Sequence, residues 1–406
     1  MTAGAAIPLA RGLRLALAAM LCVAAATSQS CRCDDDAVAA AMNLPESSGA
    51  CAFESDTVLA DHAVGPSWIH WTSACLPGAR VVYVDRDQWN IWVMGDSGEE
   101  PRCLTCYGDN ALGVNFPLDD DGQPPDVHWK GDPEAHPTEP IILFKAENEH
   151  SDHRALTNAP SIGWDNDIWA LNVCTRQYLR LTALAAGEGV QHSAISEDGR
   201  WYVYPRRRQA PVATSDFDFA SMVFGGLAVD SGGALHFEQR FAVEPNGEMY
   251  YEPNDIHGDG SGRYSLYYTA GADKMLDPYR YDWCEAGECA ATNRRLLETA
   301  AVHEEFTMVS PSAHKLVWMR GPLQGLAYHA DLFISSLDLT GIERVTWYND
   351  CDHWPDRCQA HGAQLSRLEW KADGTAVYYG LWEHGALGPF ENVRLHRLDF
   401  AGACGQ

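Results

Sequence analysis

The stretch Ile195–Tyr204, ISEDGRWYVY, decides the fold. It reads as a strand end, a tight turn at Asp198-Gly199 and an alternating strand Trp201–Tyr204. Asp-Gly between two apolar runs is a hairpin signal, because glycine takes a positive φ at no steric cost. The unit recurs. The positions matching Gly199 are Gly78, Glu139, Gly260, Ala313 and Gly374, so successive turns fall 61, 60, 61, 53 and 61 residues apart. The strands that follow the other turns are Val81–Val84, Ile141–Phe144, Tyr264–Tyr268, Leu316–Met319 and Val377–Tyr379, mostly β-branched or aromatic. A fixed period of strand-type content marks a propeller or array.

Third strands follow at Ile91–Met94, Ile168–Leu171 and Leu332–Ile334. Fourth strands carry a basic-apolar-Thr signature at Arg102–Thr105, Arg180–Thr182, Arg295–Thr299 and Arg344–Thr346. Four strands per period make one blade. The period exceeds the usual ~40–45 residues of a blade, so loops are inserted, at Glu147–Ile162, Pro205–Ser221 and Glu383–Asn392. The expected fold is all-β, a six-bladed β-propeller of four-stranded antiparallel blades. The last repeat has a third strand at Val393–Leu398 and no fourth. Thr57–Ala60 is placed to supply it and close the ring, since open sheet edges invite aggregation. Cys51 and Cys404 then fall near the seam, where a disulfide would staple it.

Residues 1–30 read as a secretory signal: Arg11 and Arg14, an apolar run Leu15–Ala26, then a small-residue site. Residues 31–55 are expected to be a mobile lead with little structure, and 56–406 the propeller. Of 13 cysteines Cys22 lies in the signal, leaving an even number, which in an exported chain argues for disulfides. Local pairs are Cys284 with Cys289, Cys351 with Cys358, and Cys103 with Cys106; the connectivity stays open. Cys31, behind Ser28-Gln29-Ser30, matches the lipoprotein cleavage pattern poorly, and a lipid there is an alternative. The expected location is periplasmic, outer-membrane-associated or secreted, with no membrane span in the mature chain.

Lys and Arg number 29 against 56 Asp and Glu, a net charge of −27. Nucleic acid is a poor partner for such a surface.

The unit Ser-Pro-Asp-Gly, strand, Arg-Leu-Thr resembles that of TolB-like propellers. It stands here as VSPSAHKLVW (309–318), ISEDGRWYVY and WKADGTAVYY (370–379). Cys103–Cys106 with His128–Glu147 is similar to a group of exported bacterial TolB-like proteins of unassigned activity. The resemblance spans roughly residues 70–400. It implies the fold and, as in many TolB-like propellers, the binding of a partner. Oligogalacturonate lyases are also TolB-like and hold a metal with channel histidines and a Gln. This chain has Gln191-His192 and Gln359-Ala360-His361, and no closer copy of that ligand set.

In a propeller the innermost strands line a central channel, so polar residues ahead of each turn converge from different blades. Counted back from the turn, one level holds Gly131, Gln191, Glu252, Glu305 and Ser366, and the next Asp132, His192, Pro253, Phe306 and Arg367. The expected ligand-binding ring is Gln191, His192, Glu252, Glu305 and Arg367. A divalent metal (Ca, Mn or Zn) would draw on His128, Asp132, His192, Glu252 and Glu305. The opposing view is structural: polar channel residues bond one another and buried water. Other motifs resolve as local structure. Gly95–Gly98 is a hairpin turn rather than a protease nucleophile loop, and no Gly-x-Ser-x-Gly elbow exists. Asp119–Gly122 lacks the Glu and the helices of a calcium loop. Cys103–Cys106 has no second pair at zinc spacing. Two functions follow. One is an extracytoplasmic binding or scaffold protein for an envelope or extracellular protein or a small molecule. The alternative is a metal-assisted, lyase-like enzyme acting on acidic carbohydrate.

Overall fold

Strand-forming runs cut by turn residues every sixty or so positions build wedges that bury both faces only against their neighbours. The computed structural model describes residues 35–108, 110–117, 129–151, 164–207, 219–245, 250–271, 275–285, 289–299, 302–324, 327–359, 361–385 and 388–406. After β1 (Phe53–Asp61), blade 1 holds β2 (Ala63–Trp68), β3 (Val81–Asp85), β4 (Asn90–Met94) and β5 (Arg102–Cys103). Blade 2 holds β6 (Lys130–Ala135), β7 (Ile141–Glu147), β8 (Asn166–Asn172) and β9 (Gln177–Arg180). Blade 3 holds β10 (Ala194–Ile195), β11 (Trp201–Arg207), β12 (Phe219–Val229) and β13 (Leu235–Val243). Blade 4 holds β14 (Tyr250–Gly258), β15 (Arg263–Gly271), β16 (Asp277–Cys284) and β17 (Thr292–Arg295). Blade 5 holds β18 (His303–Val309), β19 (Lys315–Gly321), β22 (Asp331–Ser336) and β23 (Glu343–Arg344), interrupted by the hairpin β20 (Leu323–Gln324) and β21 (Ala327–Tyr328). Blade 6 holds β24 (Ala363–Trp370), β25 (Ala376–Gly385) and β26 (Gly388–Phe400), and β1 completes it in the order β1-β26-β25-β24.

The ring therefore closes as the sequence implies, with the first strand of the chain zipped antiparallel to the last from Phe53↔Phe400 to Asp61↔Arg394. A Cys51–Cys404 disulfide staples the seam across a separation of 353 residues. Asp56 fixes the closing strand from inside. Its carboxylate accepts from Tyr348 (2.6 Å) and Tyr379 (3.2 Å) and lies 2.9 Å from His396 Nδ1. The three local disulfides form as expected, and a fifth, Cys75–Cys174, ties the segment before β3 to the β8–β9 turn.

The basic residue of the basic-apolar-Thr signature lies on the fourth strand, as expected, and the signature also forms a latch. In blade 2, Asp167, the second residue of β8, accepts from Arg180 (2.7 Å) and Thr182 (2.6 Å), while Thr182 Oγ1 accepts from the Ile168 amide. Blade 5 repeats it with Asp331, Arg344 (2.7 Å) and Thr346 (3.0 Å). Blade 1 uses Asn90 with Thr105, and blade 4 Asp277 with Arg295 and the Thr299 amide. In blades 2, 4 and 5 a buried carboxylate on the third strand thus finds donors on or just after the fourth, and charge-assisted bonds hold the outer edge.

Three expectations are corrected. The lead is not bare: Asp35–Met42 forms helix α1, where two acids open an Ala-rich segment. The chain then runs beside β23, with the Ser47 amide donating to the Arg344 carbonyl (2.9 Å), and the propeller starts at Phe53, inside the stretch assigned to the lead. The loop expected at Glu383–Asn392 is a long hairpin, with β25 and β26 paired out to Gly385↔Gly388. Much of the other two loops (152–162 and 208–218), Asp119–Gly122, the signal, Cys31 and His128 lie outside the described residues. Among the described residues no helix is long and apolar enough to cross a membrane.

Candidate functional site

The inner strands β2, β6, β14, β18 and β24 each carry an irregularity at the same level: Val64/Ser67, Gly131/Glu134, Pro253/Asp255, Glu305/Met308 and Ser366/Leu368. A bulge re-aims side chains and is common beside binding sites. Two residues at this level hold left-handed backbone without being glycine, Asp132 (φ 44°) and Phe306 (φ 58°), a conformation that costs about 1–3 kcal/mol each. Below and above the bulges lie two layers of polar side chains.

The first layer contains the residues nominated from the sequence. His192 Nε2 lies 2.8 Å from Glu252 Oε1, and its Nδ1 3.7 Å from Asp132 Oδ1. Phe306 meets the imidazole edge-on. Glu252 and Glu305 are close enough for each to shift the other's ionisation. Burial and the charge of Glu252 push the Glu305 carboxyl well above the usual range. Burial acts on Glu252 too, but His192 and the hydrogen bond from Glu305 outweigh it and hold that carboxyl low. His303 Nδ1 accepts from the Leu276 amide (3.3 Å), so Nε2 carries the hydrogen toward Glu305 Oε2 (3.0 Å). Gln191 is buried and donates to Tyr250 Oη (3.2 Å). Asp132, Gln191, His192, Glu252 and Glu305 thus form one connected layer. It can store and pass a proton between two carboxyls, the behaviour of like charges forced together.

The same layer does not offer a metal an open donor set. Burial resists ionisation of Asp132, but Lys145, His192 and Arg367 hold it at about 2, with Lys145 Nζ 2.5 Å from Oδ2. His192 already faces Glu252, and burial with the charge of Glu252 disfavours the ionised form of Glu305. Among the described residues no group of three or more His, Cys, Asp or Glu is placed to hold an ion. His361 is exposed.

Two to three residues further along the same strands is the second layer, which the sequence reading missed apart from Arg367. Arg367 donates to Glu134 Oε1 (2.7 Å), which also accepts from Ser193 (3.1 Å). These groups border a cavity of about 310 Å³ to which all six blades contribute, among them Trp68, Glu134, Glu197, Asp255, Met308 and Glu369. Asp255 accepts from the Val309 amide (2.7 Å); burial and nearby Glu197 push its carboxyl up to about 7. Burial, and then Asp255, raise Glu369 to about 8. A signal existed for these residues: Glu134, Asp255 and Glu369 each stand four residues before the position that matches Asp198 in the turn of their blade.

Fold and site together define a six-bladed β-propeller whose channel is lined by ionisable side chains. A protein of unknown function from Dyadobacter fermentans is similar over 87% of this chain and 100% of its own, at 11% identity and a TM-score of 0.51. A protein assigned as TolB from Agrobacterium tumefaciens matches at 13% identity over 70% and 81%, TM-score 0.41, and an oligogalacturonate lyase solved with manganese at 9% over 87% and 100%, TM-score 0.39. Such likeness speaks for the fold alone. No protein-family model and no curated protein matches the chain.

Proposed function

We propose that this chain is an exported binding propeller, and that its partner places a polar group in the central channel. The observation that carries the reading is the cavity of about 310 Å³ walled by all six blades. A site shared by every blade is fixed as rigidly as the ring itself, and its size is at the lower end for small-molecule pockets (~300–1,000 Å³). Arg367 belongs to the cavity wall; Gln191, His192, Glu252, Glu305 and Asp132 back it from one layer away. Five disulfides agree with an oxidising compartment. A protein partner from the envelope suits this reading better than acidic carbohydrate, because the carboxylates around the channel repel a polyanion.

A second reading, proton transfer by an enzyme, is favoured by the Glu252–Glu305 dyad with its oriented His303. It draws on these side chains themselves, with Lys145 paired to Asp132 and His192 facing Glu252.

The test is capture of a partner from envelope extract by the wild type and by Ala372→Trp. Ala372 is exposed at the cavity edge, so the indole narrows the entrance without entering the core. Loss of capture with an unchanged melting point is expected; equal capture overturns the channel reading.

A further inference from the structure

We propose that the channel cavity receives an organic cation, a primary ammonium or a guanidinium at the end of an aliphatic stem. This deepens the channel-binding reading and rests on it. Four carboxyls from four blades face the cavity, Glu134, Glu197, Asp255 and Glu369, against one guanidinium, Arg367. The acids alone would not make a site. The deciding group is Glu134, 3% exposed. Its Oε1 takes both Ser193 and Arg367, while Oε2 is buried without a hydrogen-bond partner. A buried carboxylate oxygen left bare is costly, and a donor entering the cavity removes that cost.

The shape of the site selects the kind of cation. Among the described residues no three acidic or imidazole groups converge as metal ligands. The carboxyls are spread around a space of about 310 Å³, roomy enough for on the order of ten waters. That suits a nitrogen with several N–H bonds on an alkyl stem better than a compact ion. Trp68 and Trp370 supply apolar and π surface beside the stem, each fixed from behind, by Tyr378 at 5.5 Å and Phe400 at 5.6 Å.

The charged neighbours set the pH response. Asp255 is faced by Glu197 and His257, the latter 3.1 Å from Glu197. Glu369 is faced by Asp255, Arg367 and Glu134, and exposed His70 by Glu197. With Asp255 near 7 and Glu369 near 8, an arriving cation draws both into the ionised form and releases protons. Affinity therefore rises with pH through the neutral range.

The probe is agmatine, titrated calorimetrically into the full chain at about pH 6, 7.5 and 9. Affinity is expected to rise about tenfold or more across that range, with a heat at neutral pH that depends on the buffer's ionisation enthalpy. Asp255→Asn and Glu369→Gln each weaken binding about tenfold at the highest pH and flatten the pH profile. The surface variant Glu298→Gln leaves both unchanged. N-acetyl-arginine amide separates two sources of the same chemistry: binding of both probes assigns a basic side chain of a partner, and binding of agmatine alone a free small amine. Absence of agmatine binding, or binding indifferent to both acid variants, overturns the proposal. So does manganese chloride or glutarate binding in place of agmatine. Glutarate binding that Ala372→Trp abolishes leaves the channel reading standing while the cation inference falls.

Discussion

Cutting the staple at the seam tests the closure on which the channel depends. The perturbation is Cys51→Ser with Cys404→Ser, and the control is Cys351→Ser with Cys358→Ser. Both remove one disulfide, but the first spans 353 residues and the second 7. Loop-closure entropy assigns on the order of 5–6 kcal/mol to the long crosslink and about 2 kcal/mol to the short one. Unfolding entropy near 2.1 cal/mol/K per residue over about 370 residues is about 0.8 kcal/mol/K, so the melting point falls roughly 7 °C for the seam and about 3 °C for the control. Strand β1 remains zipped to β26 in the seam variant, held by Asp56 between Tyr348, Tyr379 and His396. The fold therefore persists and the loss is read as a shift. Scanning calorimetry of the non-reduced proteins measures it. A seam variant that melts no lower than the control refutes the view that the ends of the chain are free in the unfolded state and joined only by ring closure.

Glu369→Gln is expected to stabilise the fold above pH 5. The folded carboxyl is raised from 4.5 to about 8, so the ionising unfolded chain gains on the folded one as pH rises between those values. Removing the group recovers on the order of a few kcal/mol by pH 8 and nothing at pH 4, which denaturant titration at the two pH values measures. Asp56 works the other way: burial is outweighed by His396 and the two tyrosines, its carboxyl is held low, and its contribution is lost as pH falls below about 4. Asp56→Asn should cost about 2–3 kcal/mol at pH 7 and progressively less in acid, by the same titration. Gly199→Ala places a Cβ 2.3 Å from His136 Cε1 at a φ of 71°; a loss of about 1–3 kcal/mol in chemical denaturation is expected, and none would deny the contact between blades 2 and 3. Lys145→Met strands Asp132 in the interior and should cost about 3–5 kcal/mol by the same assay.

The fold was legible because its information is local and repeated. Five of the six turns hold a residue at positive φ, and Gly78, Gly199, Gly260 and Gly374 advertise it; even Ala313, where the signature has decayed, keeps a φ of 57°. In blade 2 the turn chemistry changed hands, with His136 Nδ1 accepting from the Thr138 and Glu139 amides. The period survives such losses because it is carried by six copies. Cys51–Cys404 was legible for the same reason: a missing fourth strand points to the other end of the chain. Cys75–Cys174 was not, since nothing local pairs two loops 99 residues apart.

The site was half legible, and the missing half has a physical cause. Counting back from the turns assumes regular strands, and it reached Asp132, Gln191, His192, Glu252 and Glu305. The second layer lies four residues before the position that matches Asp198 in each turn, at Glu134, Ala194, Asp255, Met308 and Glu369, where apolar residues in two blades hide the pattern. Asp255 and Glu369 fall on the turn side of the irregularities at Pro253/Asp255 and Ser366/Leu368, which re-aim the strand beside the cavity. The sequence also shows ligating residue types without showing what already faces them. Asp132 and His192 look like metal ligands as letters. In the fold Lys145 arrives from β7 and Glu252 from β14, and the atoms a metal would need are spent on other side chains. Residue type and level in the ring thus locate a polar channel, whereas its chemistry depends on neighbours that only the bulged strands bring into contact.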